Sequence, residues 1–113
     1  MKRSHREFGC ERAFHDQGQL FVDGRCYEDS LSVGDIFRQL YRLAPIGPRT
    51  EMGWEWELSE SRRVNLRIDE ILFCGKNLDS LPGGYTARLR ISGQGEELVR
   101  NDHYEVLGIE QEE

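Results

Sequence analysis

The sequence predicts an all-β domain, and three observations carry that expectation. Short apolar runs are punctuated by glycine: "QLFVDGRCYEDSLSVGDIF", "WEWEL", "RVNLRIDEILFCG", "YTARLRISG" and "YEVLG". Apolar side chains also recur at every second position, as Val64, Leu66 and Ile68 do against Asn65, Arg67 and Asp69. Finally, 113 residues with 37% hydrophobic and 32% charged composition suit one domain whose core needs neither disulfides nor metal.

Residues 1–17 read as a charged lead-in carrying Phe8 and Phe14, with a short helix as the alternative. The barrel-like texture runs over 18–108, and 109–113 form an acidic tail. Between them, Ile36, Phe37, Leu40, Leu43 and Ala44 fit a helical period with Asp35 as cap and Pro45 as stop. The flanking pattern favours a strand there, and both readings stay open. "APIGPR" holds two of the three prolines and predicts an irregular loop. Trp54, Trp56 and Leu58 alternate with Glu55 and Glu57, so they predict a strand that pairs with the Val64 run through a polar connection, "SESRR". Arg62 and Arg63 then fall at a hairpin tip. Ala87, Leu89 and Ile91 alternate with Arg88, Arg90 and Ser92 in the next strand.

Taken in order, these segments resemble the second domain of translational GTPases such as elongation factor Tu. The resemblance rests on Gly24-Arg25 and Val33-Gly34-Asp35 in the opening segment, on "RIDEILFCGKNLDSLPGGYTARLRISG" in the centre, and on "ELVRNDHYEVLG" at the close. It spans about residues 18–108 and departs from the family where Asn101 or Asp102 stands for a glycine. The fold it implies is a small closed antiparallel β-barrel of six to seven strands, with Gly34, Gly83, Gly84 and Gly93 at the corners. The segment "LAPIGPRTEMGWEWELSESRR" is longer than the family's connection and reads as an extended hairpin.

No GxxxxGK[ST] phosphate loop is present, so GTP hydrolysis is not expected. The net charge of −6 opposes bulk DNA binding, and no apolar run reaches the ~20 residues that cross a membrane. The N-terminus has basic residues without an apolar h-region, which makes the expected location cytoplasmic. Cys10, Cys26 and Cys74 are widely spaced and read as reduced thiols. His5, Cys10 and His15 lack the paired spacing of a zinc site, so neither metal nor cofactor is expected.

The leading functional expectation is a non-catalytic barrel module that binds another protein. Its candidate surface comprises Trp54, Trp56, Arg62, Arg63, Arg67, Arg88 and Arg90. Two indoles two residues apart on a strand share a face and suit either a core or an exposed aromatic platform. Arg67, Arg88 and Arg90 alternate with core positions and suggest a solvated β-face paired with Glu or, as the alternative, a local basic stripe. That stripe supports the alternative implied by the resemblance, binding of the aminoacyl end of transfer RNA or a ribosomal component. A third reading is a small enzyme using a thiol with His103, or carboxylates among Asp69, Glu70, Asp79, Glu96 and Glu97.

Overall fold

The computed structural model describes residues 6–27, 29–51, 53–100 and 104–109, without the side chains of residues 45, 49, 50, 53–56 and 104. Its strands are β1 (Glu7–Asp16), β2 (Gln19–Cys26), β3 (Leu31–Ser32), β4 (Ile36–Thr50), β5 (Gly53–Phe73), β6 (Lys76–Leu78), β7 (Ser80–Leu81), β8 (Thr86–Gln94) and β9 (Tyr104–Gly108). They form an all-β fold, a closed six-stranded antiparallel barrel with one strand outside it. Around the barrel the order is β4-β9-β1-β2-β8-β5, and β4 pairs with β5 to close the ring. β6 lies outside on β5, while β3 and β7 form a separate two-stranded sheet.

The core follows from the alternation. Phe8, Leu20, Val22, Phe37, Leu40, Leu66, Ile68, Leu89, Ile91 and Leu107 are buried inside the ring. Leu31 and Leu81, paired in the small β3–β7 sheet, belong to the same cluster and cover the end where β8 begins. At the end where β8 finishes, a short 3₁₀ turn at Glu96–Leu98 carries the chain to the buried Val99. The barrel interior is thus filled by side chains, as in other small closed barrels.

A close strand approach and a turn explain residues the sequence singled out. Gly24 lies on β2 against β1, where a Cβ would meet the Gly9 carbonyl oxygen at 1.9 Å. Gly34 has φ +95, a conformation that glycine adopts without steric cost. Its N–H donates to the Ile68 carbonyl, and the Asp35 carboxylate accepts from the Ser32 N–H. Val33-Gly34-Asp35 therefore turns the chain from β3 into β4 and docks it on β5.

Three local expectations are corrected, and the choice left open at Ile36–Ala44 falls to the favoured strand. Residues 7–16, read as part of a lead-in, form β1 with Phe8, Cys10 and Ala13 buried, and β1 pairs with both β2 and β9. The helix-like spacing at Phe37 and Leu40 comes from a break in register between Phe37 and Gln39 within strand β4. The extra residue of that break lies on β5, between Arg63 and Leu66, and opposite it the inward β4 positions Phe37 and Leu40 lie three apart. "APIGPR" lies in β4 rather than in a loop. Among the described residues β9 pairs with β4 as far as Leu43, so Pro45 and Pro48 have no described strand on that side whose ladder a missing N–H would break. "SESRR" is not a turn, because β5 runs unbroken for 21 residues and its hairpin with β4 reverses between Thr50 and Gly53.

Candidate functional site

The β4–β5 ladder outgrows the barrel. Among the described residues, β4 has no strand on its other side beyond Leu43, and β5 meets β8 only from Asn65 onward. Ala44–Thr50 and Gly53–Glu57 consequently project as a two-stranded ribbon from the end carrying the 3₁₀ turn. This is the extended hairpin that the sequence predicts, with its reversal shifted toward the N-terminus.

At the ribbon's base the outer surface is apolar. Tyr41 pairs with Val106 across β4 and β9, and Leu43 pairs with Leu58 across β4 and β5. With Tyr27 and Glu7 they line a shallow groove of about 250 Å³. Leu58 is 57% exposed, and Ile46 is exposed farther along β4. Gly108 makes room for this arrangement, since a Cβ there would lie 3.3 Å from the Tyr41 ring. A bulge at Ser59 separates the Arg42–Glu60 pair from the Leu43–Leu58 pair. That break lets Glu60 reach Arg42 while Leu58, two residues earlier, remains exposed.

Behind the groove, the inward face carries a polar cluster. Glu105 is fully buried and accepts from Arg42 Nε at 2.8 Å and from the Arg100 backbone N–H at 2.8 Å. Arg42 also donates to Glu60 at 3.2 Å and to the Leu98 carbonyl. One guanidinium therefore ties β4, β9, β5 and the 3₁₀ turn together. No buried side-chain polar atom among the described residues lacks a hydrogen-bond partner, which makes the cluster a structural latch.

The basic residues are dispersed and largely neutralised. Arg88 forms two hydrogen bonds with Asp23, at 2.7 and 3.1 Å, and lies over the Phe14 ring. That carboxylate holds the Arg88 pKa above its ordinary value. Arg90 reaches Glu70 and Asp69, and Arg67 donates to Asp69 at 2.9 Å. Arg62 pairs with Glu60, whose carboxyl is held below its usual range chiefly by that hydrogen bond. Arg63 is exposed and borders a second cleft with Arg38. Of the two readings of Arg67, Arg88 and Arg90, the structure therefore shows the paired face, a row of ion pairs. The side chains of Trp54 and Trp56 lie outside the described residues, and so does the question of whether they are core or exposed.

Thiols and carboxylates do not assemble a reaction centre among the described residues. Cys10 and Cys26 are buried, and desolvation raises both thiol pKa values, with Glu105 adding to the effect on Cys10. Cys26 donates to the Asp29 carbonyl at 3.0 Å. Cys74 is exposed on the β5–β6 turn, and His103 lies outside the described residues. Asp69 is held by Arg67 and by the Ser92 hydroxyl, while Glu96 accepts from the Gly93 N–H. No described group of three His, Cys, Asp or Glu is placed to hold a metal ion. Among the described residues no helix is long and apolar enough to cross a membrane.

Sequence reasoning missed Tyr27, Tyr41, Leu43, Val106 and Arg38. Tyr41 and Leu43 lie where the choice between helix and strand was open. Their outward direction depends on bulges that composition does not mark. No protein-family model matches the chain, and no curated protein matches it.

Proposed function

We propose that this protein is a non-catalytic binding module that docks a partner protein on the projecting β4–β5 ribbon and the apolar groove at its base. The observation that carries this reading is the coincidence of the two. A ribbon that contributes little to barrel closure leaves the barrel at the place where Tyr27, Tyr41, Leu43, Leu58 and Val106 form an apolar outer surface. Adjacent apolar side chains around a groove favour a partner's apolar anchor, because burying them removes nonpolar area from water. The pairing of Arg67, Arg88 and Arg90 with carboxylates gives less support to the alternative, contact with the aminoacyl end of transfer RNA. The resemblance to the elongation-factor barrel remains part of this proposal and implies an assembly role without nucleotide hydrolysis.

Affinity capture with the intact chain and with Leu58→Asp tests the reading. Leu58 is exposed, so the charge leaves the barrel folded, as circular dichroism will confirm. The expected result is a protein retained by the intact chain and reduced at least tenfold by Leu58→Asp, with little change as salt rises. Equal capture by both chains refutes the groove. Capture dominated by RNA and abolished by salt supports the alternative instead.

A further inference from the structure

A second cleft opens where β5 leaves β8, beside the 3₁₀ turn and at the foot of the ribbon. It encloses about 440 Å³ and is bordered by Arg38, Arg63, Asn65, Gln94 and Glu97. Most described arginines are ion-paired: Arg6, Arg12, Arg42, Arg62, Arg67, Arg88 and Arg90 each have a carboxylate within 4.0 Å. Arg25, Arg38, Arg63 and Arg100 have none among the described residues, although the chain carries net charge −6, and of these four Arg38 and Arg63 line this cleft. Both are exposed, and both line the same polar hollow.

The placement has a backbone cause. β4 and β5 change register between Phe37 and Gln39, where Phe37 opposes Leu66 and Gln39 opposes Arg63. Arg38 therefore stands at the irregularity, opposite a stretch of β5 with one residue more than β4. Such a bulge re-aims a side chain relative to the regular pleat. Gln94 and Gly95, at the end of β8, close the other side of the hollow.

We infer that this cleft is a binding site for a phosphate monoester group, held by Arg38 and Arg63. Two guanidinium groups present two charges and planar forks of N–H donors, and the Asn65 and Gln94 amides add further donors. A carboxylate has one charge and two oxygens, and a phosphodiester has one charge. A monoester dianion has three terminal oxygens and nearly two charges, which matches this donor set best. The hollow falls within the ~300–1,000 Å³ of ordinary small-ligand sites, leaving space for the group that carries the phosphate. Glu97 at the rim, with no cation in contact among the described residues, opposes the anion and sets a limit on affinity. The site is separate from the apolar groove and stands or falls independently of the partner docked there.

The test is a titration of the full chain, labelled with nitrogen-15, with methyl phosphate, dimethyl phosphate and acetate at fixed low ionic strength. Methyl phosphate is expected to shift the Arg38 and Arg63 side-chain resonances and the amides of Gln94 and Gly95. Dimethyl phosphate and acetate are expected to bind at least tenfold more weakly. Arg38→Gln or Arg63→Gln should each weaken methyl phosphate about tenfold, the loss of one charge-assisted contact. Glu97→Gln should tighten it severalfold, a change that a nonspecific surface effect would not localise here. Unchanged resonances elsewhere will establish that the variants remain folded. Absence of binding, equal binding of dimethyl phosphate or acetate, or indifference to both arginine variants overturns the proposal.

Discussion

At the scale of single residues, the thiols divide by environment. Cys10 is 4% exposed inside β1 and Cys26 is fully buried at the end of β2, whereas Cys74 is exposed. Burial penalises the thiolate and raises the pKa of both inward thiols. Iodoacetamide at pH 8 is therefore expected to modify Cys74 in the folded protein and to spare Cys10 and Cys26; mass mapping before and after denaturation checks this. The same shift affects stability. In the unfolded chain Cys10 loses its proton near its ordinary value of 9.0, while in the folded chain it stays protonated. Above that pH the native state binds more protons than the unfolded state, so stability falls as pH rises, by up to about 1.4 kcal/mol per unit for a single thiol. Urea unfolding at pH 8 and pH 10 should show this fall, and Cys10→Ala should lessen it. Equal slopes for the two chains would contradict the assignment.

At the scale of elements, the buried Arg42–Glu105 pair joins parts of the barrel that sequence separates. Glu105 sits on β9 between Cys10 on β1 and Arg42 on β4, and Arg42 also reaches β5 and the 3₁₀ turn. Arg42→Met leaves Glu105 buried without its cation, a loss on the order of 3–5 kcal/mol. Arg42→Met combined with Glu105→Leu removes both charges and is expected to recover much of that loss in denaturant unfolding. Failure of the double variant to improve on the single one would show that the remaining polar contacts of the 3₁₀ turn dominate. Regular alternation at Val64–Ile68 and Ala87–Ile91 made β5 and β8 legible in the sequence. Bulges obscured the rest, because inward positions fall three apart at Cys10 and Ala13, at Phe37 and Leu40, and at Ile68 and Ile71. For that reason β1 resembled a charged lead-in and β4 resembled a helix. Arg67, Arg88 and Arg90 were correctly expected on polar positions, but their neutralisation depends on Asp23, Asp69 and Glu70, some of them on other strands.

At the scale of the whole molecule, barrel closure and ribbon projection use different portions of the same two strands. Closure needs β4 from Ile36 to Leu43, which pairs with β5 and, over Gln39–Leu43, with β9, and β5 from Asn65 onward, where it meets β8. Among the described residues the portion beyond Ala44 and Glu57 has only its hairpin partner, and an isolated two-stranded ribbon contributes little independent stability. Ala44 pairs with Glu57, so residues 45–56 can be replaced by an Asn-Gly dipeptide whose twist suits a two-residue hairpin. The shortened chain is expected to fold with a thermal midpoint within a few degrees of the parent, a change on the order of 1 kcal/mol or less. It also removes Trp54 and Trp56 while keeping Tyr41, Leu43, Leu58 and Val106 at the groove. Partner capture therefore separates the two halves of the proposed surface. Loss of capture by a folded shortened chain assigns the contact to the ribbon, whereas retention assigns it to the groove, where Leu58→Asp must then abolish it. Unfolding of the shortened chain would instead make the ribbon part of the barrel's own stability and refute its role as an appended binding element.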